Sequence, residues 1–347
     1  MTQNTIRVGI VGAGANTVQR HIPGLQAIDN VKIVGVCNRS EESSARVARE
    51  FGISKTYAHW LDAVEDPDTE AIVVGTWPYM HCPVTIAALE EGKHILTEAR
   101  MAMDASEAHE MLAAARAHPH LVAQVVPSPI TLGVDATVQR LIAEGYLGDV
   151  LAVEVVDAGS FLDPDAPLHW RQDFDLSGLN TMTMGIYYEA LLRWVGGASR
   201  VMAMGKTFVK SRLDADGHRR AVRVPEHIDI TADLLCGGQL HMQISAVSGF
   251  RDGTGMTLFG TDGMLRFRDG KLYGAKPGDS GPDEIAIPAD ERGEWRVEEE
   301  FIGAIRGQEK ITHTTFETGV QYMEFTEAVS LSMVGGRAVT LPLGLDA

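Results

Sequence analysis

Short apolar runs alternate with amphipathic segments over the first part of the chain. The apolar runs predict strands at residues 6–11, 31–37, 71–76, 94–97 and 121–126, and the segments between them predict helices at 17–28, 43–51, 83–91 and 105–117. Strands separated by helix-length segments are joined by right-handed crossovers, which give a parallel sheet with helices on both faces. The pattern therefore predicts a doubly wound α/β domain at residues 1–124.

The pattern changes after the last of these strands. Helices are predicted at 133–144, 179–194, 294–305 and 316–333, and strands at 150–156, 228–234, 239–245 and 338–341. Turn pairs such as Asp216-Gly217, Asp262-Gly263 and Asp269-Gly270 separate further short strands between residues 200 and 288. Loose alternation of apolar and polar positions is typical of an antiparallel sheet with one covered face. We therefore expect an α+β domain at residues 125–347, built on a mostly antiparallel, open-faced sheet.

Composition and charge narrow the class of protein. The 347 residues carry 47 acidic and 30 basic side chains, for a formal net charge of −17, which disfavours nonspecific binding to nucleic acid or to an anionic membrane. No apolar stretch approaches the ~20 residues of a membrane helix. Three scattered cysteines, Cys37, Cys82 and Cys236, predict buried thiols of a reducing compartment and no metal site. The expected location is the cytoplasm.

A glycine turn follows the first predicted strand. Gly12, Ala13 and Gly14 lead into Asn16 and Thr17 at the start of the first helix. Gly12 permits a tight turn, and Gly14 lets the backbone approach a pyrophosphate, which the free amides of the helix N-terminus then face. Thr17 stands where a third glycine is usual, although a threonine or asparagine there still caps the helix. We therefore predict a dinucleotide site.

The end of the second predicted strand bears on the choice of dinucleotide. NAD-binding domains usually place an acidic residue there, which binds the adenosine ribose. This chain has Asn38, Arg39 and Ser40, which offer a guanidinium and a hydroxyl to a 2′-phosphate and no carboxylate to repel it. The cofactor is therefore predicted to be NADP. In the alternative, Arg39 stacks on the adenine and Asn38 serves NAD.

Over essentially its whole length the chain resembles the glucose–fructose oxidoreductase/inositol dehydrogenase (Gfo/Idh/MocA) family. The resemblance is carried by the order and spacing of the segments beginning at Gly12, at His21 (HIPGL), at Phe51 (FGI), at Thr76 (TWPYMH), at Ala87 (AALEEGKHILTE), at Gly148 (GDV), at Trp170 (WR) and at Leu191 (LLRW). It implies a Rossmann domain and pyridine-nucleotide chemistry at an alcohol carbon of a sugar, polyol or related ring. It also implies a homodimer or homotetramer joined through the open sheet, and cofactor contacts from Thr76, Trp77, His81 and Glu98.

The chain departs from the family at the positions that carry the chemistry. The usual Glu-Lys-Pro after the fourth strand of the family's sheet reads Glu98-Ala99-Arg100, so the lysine beside the reacting hydroxyl is missing. The usual Asp and His, four residues apart on one helix, align with Thr183 and Tyr187. Residues four apart on a helix share a face. We therefore predict Tyr187 as the proton relay and Thr183 as an orienting group, each with core packing as the alternative.

Four other residues are candidates for the substrate site. Arg100 is always protonated, so it is predicted to bind an oxyanion or carboxylate rather than to act as a base. Trp170 offers an aromatic face to a sugar ring and Arg171 offers paired donors. His169 is a further acid/base candidate. The alternatives are a strand cap for Arg100 and a structural loop anchor for Trp170.

Three functional hypotheses follow. The first is an NAD(P)-dependent oxidoreductase that acts on the CH–OH group of a small carbohydrate-like substrate. The second is redox-neutral cleavage of a glycoside, in which transient oxidation acidifies the neighbouring C–H, the aglycone is eliminated, and NAD(H) stays bound. The third is a non-catalytic nucleotide-binding regulator. Cofactor that is retained through purification favours the second, and bound cofactor without turnover favours the third.

Overall fold

The computed structural model describes residues 4–159 and 161–344. Contacts divide these residues into two compact units. The N-terminal unit comprises the described residues up to Pro127 together with Arg296–Val320. The C-terminal unit comprises the described residues from Ser128 to Trp295 and from Gln321 onward.

The N-terminal unit is built on a six-stranded parallel sheet. Its strands are β1 (Ile6–Val11), β2 (Val31–Cys37), β3 (Lys55–Thr56), β4 (Ala71–Val74), β5 (His94–Thr97) and β6 (Ala123–Val125). The order across the sheet is β3-β2-β1-β4-β5-β6. Successive strands are therefore added to one side of β1 up to β3 and to its other side from β4 onward, and the switch point lies between β1 and β4. All four residues of β4 are buried, as expected for a central strand covered on both faces. This confirms the predicted doubly wound fold.

Five helices join these strands. They are α1 (Ile22–Ala27), α2 (Glu41–Phe51), α3 (Trp60–Glu65), α4 (His81–Glu90) and α5 (Ala105–Ala117). A wide helical turn, Thr17–His21, runs directly into α1. Ser40 caps α2 by accepting the amide of Ser43 at 3.2 Å. The strand β3 and the helix α3 were not predicted, because both are too short to show a period.

The C-terminal unit contains a nine-stranded sheet and a separate hairpin. Its strands are β7 (Val150–Ala158), β8 (Ala198–Lys206), β9 (Ser211–Leu213), β10 (Arg219–Ala221), β11 (His227–Leu234), β12 (Gln239–Ser245), β13 (Gly255–Gly260), β14 (Met264–Arg268), β15 (Lys271–Ala275), β16 (Asp283–Ile285) and β17 (Val339–Thr340). The sheet order is β16-β15-β14-β13-β7-β12-β11-β8-β17, and β9 pairs with β10. Among these paired strands only β7 and β12 run parallel, so the prediction of a mostly antiparallel sheet is confirmed.

Three helices of the C-terminal unit precede or follow β7. They are α6 (Asp135–Ala143), α7 (Phe174–Ser177) and α8 (Met184–Val195). The prediction of one helix over 179–194 is corrected here, since α8 begins at Met184 and Gly178, with a φ of +63°, ends α7. Thr183 is therefore the residue before the helix rather than a member of it.

The last two helices are α9 (Val297–Ile305) and α10 (Phe316–Gly335). The pattern predicts a single passage between domains near residue 124, whereas the structure shows the chain returning to the N-terminal unit for Arg296–Val320. Two contacts explain the return: α9 buries Phe301 completely, and the carboxylate of Glu300 accepts the Gln124 amide at 2.8 Å.

Two further expectations concern thiols and membranes. Cys37 and Cys82 are buried as predicted, but Cys236 is exposed in the turn between β11 and β12, so that part of the prediction is wrong. Within the described residues, the helices are too short or too polar to cross a bilayer.

Candidate active site

The glycine turn lies where β1 meets β4. Gly12 has a φ of +84°, and a Cβ there would lie 2.7 Å from the amide nitrogen of Thr76, so a side chain is excluded on both counts. A Cβ on Gly14 would lie 2.9 Å from the carbonyl oxygen of Gly75. Thr17, which replaces the usual third glycine, is buried with its side chain against Gly75. Gly75 therefore supplies the close approach of helix and strand that the third glycine normally gives.

A groove of about 390 Å³ opens beside this turn. Seven of the predicted cofactor residues line it: Gly12, Ala13, Gly14, Asn38, Arg39, Thr76 and Trp77. Sequence reasoning missed nine others, which are Val11, Cys37, Ser43, Ala58, His59, Trp60, Gly75, Tyr79 and Met80. The mixed polar and aromatic lining suits a nucleoside.

Asn38 and Arg39 take different positions in the groove. The Asn38 side-chain oxygen accepts the Ala13 amide at 2.6 Å, and its nitrogen donates to the Ser43 hydroxyl at 3.0 Å. Asn38 thereby holds the glycine turn against the start of α2. Arg39 is exposed, with its guanidinium 5.4 Å from the centre of the Trp77 ring. This distance is within the range of a cation–π contact.

A buried chain of polar groups lies behind the glycine turn. Glu98, at the end of β5, accepts the Asn16 amide at 2.5 Å and lies 3.0 Å from His21 Nε2. The other ring nitrogen of His21 makes a very short hydrogen bond with Glu298 of α9. The His21 side chain is fully buried, whereas 14% of the Glu98 side chain is exposed. Glu98 and Asn16 are therefore the members of this hydrogen-bond network that reach solvent.

The two carboxylates set the charge of His21. Burial lowers the pKa of His21, but the hydrogen bonds and charges of Glu298 and Glu98 outweigh it and raise the pKa to about 9. Burial acts to raise the pKa of Glu98, and its bonds with His21 and Asn16 more than offset this, so the pKa is lowered. At neutral pH His21 is thus an imidazolium held between Glu98 and Glu298.

His81, at the start of α4, and Arg100, in the segment after β5, lie close to each other. His81 is fully buried, with Nδ1 2.9 Å from the Arg100 carbonyl oxygen and Nε2 3.1 Å from that of Thr76. Burial lowers the pKa of His81. The ring thus ties the backbone segments after the two strands to each other. Arg100 is 2% exposed and follows a cis peptide bond from Ala99.

In the C-terminal unit, Thr183 and Tyr187 meet a third residue. The Thr183 hydroxyl donates a very short hydrogen bond to the carboxylate of Asp157, near the end of β7. Tyr187 is buried on the first turn of α8, and burial together with the Asp157 charge raises the pKa of its phenol. The sequence did not point to Asp157, although an acidic residue at the end of an apolar strand was a usable signal.

His169, Trp170 and Arg171 form one compact turn. The His169 ring nitrogen Nδ1 accepts the Arg171 amide at 3.2 Å, and the His169 amide donates to Gln172 at 3.2 Å. The Arg171 guanidinium lies 4.3 Å from the centre of the Trp170 ring. Burial and the nearby Arg171 charge lower the pKa of His169, so the ring is neutral at neutral pH. The structure therefore brings these three predicted residues together.

A buried arginine holds the loop before this turn. Arg212 Nη1 donates to the carbonyl oxygens of Asp163 at 2.9 Å and Ala166 at 2.8 Å. Its Nη2 donates to Glu226 at 2.9 Å, and both side chains of this ion pair are almost fully buried. Leu168 adds a backbone bond to Leu213 of β9 at 2.7 Å. The loop is thereby fixed to the β9–β10 hairpin.

Comparison with known proteins relates both units to one family. Residues 6–125 match the model of an oxidoreductase family with an NAD-binding Rossmann fold. Residues 136–266 match the GFO/IDH/MocA C-terminal domain.

Individual relatives are distant. The chain is 26% identical over 201 residues to an oxidoreductase of Rhizobium meliloti, an alignment that covers 57% of this chain and 59% of that protein. It is 27% identical over 184 residues to levoglucosan dehydrogenase of Pseudarthrobacter phenanthrenivorans, covering 51% of this chain and 46% of the relative. The alignments thus span less than two thirds of either relative.

A solved structure extends the likeness of fold to nearly the whole chain. A levoglucosan dehydrogenase in complex with NADH and levoglucosan matches with a TM-score of 0.84 at 22% identity. The match covers 98% of this chain and 100% of that one. The two family models, which together match most of the chain, show that it belongs to the Gfo/Idh/MocA family of oxidoreductases.

Proposed function

We propose that this enzyme transfers a hydride between a nicotinamide cofactor and a secondary alcohol of a sugar, glycoside, polyol or related ring. The observation that carries the proposal is the groove beside Gly12 and Gly14, in a unit that matches an NAD-binding family. The relative that acts on levoglucosan supports a carbohydrate-like substrate. Cofactor and substrate are both expected to be small molecules.

The residues of the N-terminal unit fit a dinucleotide. A side chain at Gly12 or Gly14 would collide with the Gly75–Thr76 backbone, so glycine at these positions allows the tight turn on which a dinucleotide site is built. Glu98 lies at the carboxyl end of β5, and Asn16, which donates to it, follows the glycine turn. Both are at the edge of the sheet where the nicotinamide half of a dinucleotide is expected. When bound, the cofactor accepts or returns the hydride.

For the cofactor we favour NADP(H) over NAD(H). Arg39 is exposed at the groove. The Ser40 hydroxyl accepts a hydrogen bond from the Ser43 amide and still has a proton to donate to a 2′-phosphate. Two exposed carboxylates, Glu41 and Glu42, follow in the first turn of α2 and oppose the binding of that 2′-phosphate. The expected preference is therefore a small factor, with NAD(H) as a working alternative.

In the C-terminal unit, the turn at residues 169–171 supplies a surface suited to a sugar. The Trp170 ring offers an apolar face to the ring carbons, and the Arg171 guanidinium stacked on it offers donors to hydroxyl oxygens. His169, held neutral, is available as a hydrogen-bond partner or acid/base group. In the N-terminal unit, Arg100 is proposed to balance developing negative charge at the substrate oxygen.

We also propose that the enzyme is a homo-oligomer joined through the uncovered face of the nine-stranded sheet. That face exposes large apolar side chains that a monomer would leave in water. Met204 is 76% exposed and Met202 46%. Exposed large apolar side chains on an uncovered sheet face are typical of an association surface, and a second copy of the chain satisfies the same surface by symmetry.

The direct test is turnover on defined substrates. Levoglucosan, glucose and myo-inositol are each mixed with NADP⁺ or NAD⁺, and reduced nicotinamide is followed by its absorbance. Turnover of at least one substrate is expected. Purified protein that holds cofactor but reduces none of it with any of the three would contradict the proposal.

Redox-neutral glycoside cleavage is a second candidate, which the alanine at position 99 keeps open because the lysine usual in the family is missing there. Release of the aglycone from a nitrophenyl glycoside, without net formation of reduced cofactor, would identify this reaction. Membership of an enzyme family removes support from the non-catalytic regulator.

A further inference from the structure

Oxidation of an alcohol requires a group that takes the hydroxyl proton, and the usual candidates are unsuitable in this chain. Ala99 stands at the position of the family's lysine. Arg100 keeps its proton at any physiological pH. The Tyr187 phenol also keeps its proton, because burial and the Asp157 charge raise its pKa. None of these three residues therefore suits the role of base, and the groups that remain are His169 and a carboxylate.

Asp157 is a carboxylate in direct contact with Thr183. It is the second-last residue of β7, where it pairs with Ile244 of the neighbouring strand β12 and is only partly buried. Its Oδ2 accepts a hydrogen bond from the Thr183 hydroxyl. Its negative charge also acts on Tyr187, which places the three groups at one locality of the C-terminal unit.

We propose that Asp157 is the proton acceptor of the reaction and that the Thr183 hydroxyl passes the proton to it. Tyr187 then serves as the hydrogen-bond donor that orients the substrate oxygen. The roles that the sequence assigns to Thr183 and Tyr187 are thus exchanged. This proposal rests on the proposed function, since it concerns the same alcohol oxidation.

The step balances in atoms and electrons. The carbinol C–H bond breaks and its hydride passes to the oxidised nicotinamide ring, while the substrate O–H bond breaks and its proton passes to Thr183 Oγ1. The proton already on Thr183 moves to Asp157 Oδ2, and the carbon–oxygen double bond forms. The products are a ketone, the reduced cofactor and a neutral Asp157, which releases its proton to water. Reduction of a ketone follows the same path backward.

A purely structural reading competes with this proposal, because the Thr183–Asp157 bond also ties the start of α8 to β7. Two pairs of variants separate the readings. Thr183→Ser keeps the hydroxyl and Thr183→Val keeps the shape without it. Asp157→Asn keeps the shape without the base, and Asp157→Ala makes room for a small carboxylate from solution. Asp229→Asn is the matched control, since Asp229 is a partly buried carboxylate of the same sheet whose Oδ1 accepts the Gln243 amide.

The measurement is single-turnover hydride transfer in the full-length enzyme at saturating cofactor and levoglucosan, or the substrate that turns over fastest. Loss of a positioned proton acceptor costs about 10²–10⁴-fold in rate, and we expect this for Asp157→Asn and Thr183→Val. Thr183→Ser should recover most of the rate that Thr183→Val loses, and Asp229→Asn should stay near the wild-type rate. Added formate should restore Asp157→Ala in proportion to its concentration, and cofactor affinity from calorimetry should be unchanged in all variants.

Three results would overturn the relay. The first is an Asp157→Asn variant that has a normal melting temperature and a near wild-type rate. The second is an equal loss of rate in Thr183→Ser and Thr183→Val. The third is an Asp157→Ala variant that binds cofactor normally but whose rate does not respond to formate. A wild-type enzyme without hydride transfer on the whole substrate panel would overturn the proposed function itself, and the relay with it. The wild-type control therefore distinguishes the two failures.

Discussion

His21 gives the N-terminal unit a defined dependence of stability on pH. Its pKa rises from 6.5 to about 9 on folding, because Glu298 and Glu98 stabilise the imidazolium more than burial penalises it. A raised pKa in the folded state means that folding binds the proton more tightly. The stabilisation is therefore fully present below about pH 6.5 and is lost as the pH rises through about 9. At 1.36 kcal/mol per pKa unit, the shift corresponds to about 3 kcal/mol.

The assay compares wild type with His21→Gln, which keeps a side chain of similar length without a titrating proton. Free energies of unfolding are taken from urea titrations at about pH 6 and about pH 10. Wild type should lose about 3 kcal/mol more than the variant between these conditions. His218→Gln is the control, because His218 is exposed on the turn between β9 and β10. An equal loss in wild type and His21→Gln would show that no charged His21 is held between the two carboxylates.

Four further changes test other parts of the structure. Arg39→Ala should weaken NADP(H) by roughly tenfold and leave NAD(H) unchanged in calorimetry, whereas equal weakening of both would remove Arg39 from the 2′-phosphate site. Tyr187→Phe keeps the ring and should slow single-turnover hydride transfer by about tenfold, because one hydrogen bond to the substrate is removed. A fall in rate as large as that of Asp157→Asn would instead make the phenol the proton carrier. Met204→Glu should convert an oligomer into a monomer in light scattering at micromolar concentration, and a monomeric wild type would end the interface proposal. Arg212→Met should destabilise the protein by about 3 kcal/mol in urea titrations, because it leaves the buried charge of Glu226 unpaired. Adding Glu226→Gln should recover part of this stability, and equal stability of the single and double variants would contradict the reasoning.

The order of elements was predictable because local apolar patterns determine it. β2 and β12 appear at the predicted bounds of 31–37 and 239–245. The start of α8 was not predictable in the same way. The sequence from 179 to 183 is compatible with a helix, but Asn180 is fully buried and donates its side chain to the Ser177 carbonyl at 2.8 Å. That local hydrogen bond competes with a helical turn.

The polar groups around the candidate site were harder to foresee. The bond between His21 and Glu298 joins residues 277 positions apart, and nothing in the local sequence of either indicates it. Asp157 was hidden for a different reason, since its importance comes from Thr183, which lies 26 positions away. Sequence reasoning found the glycine turn and Arg39 because their chemistry depends on short spacing, and it missed the pairings that only the folded chain creates.

The most direct test of the central claim is to follow the hydrogen itself. A substrate that turns over is prepared with deuterium on the carbinol carbon, and the cofactor is recovered after a single turnover and weighed by mass spectrometry. Hydride transfer predicts reduced cofactor that carries one deuterium and a rate that falls with the heavier isotope. Consumption of the substrate with no deuterium on the nicotinamide at any time in the turnover would contradict the claim that this enzyme is a nicotinamide-dependent oxidoreductase of alcohols.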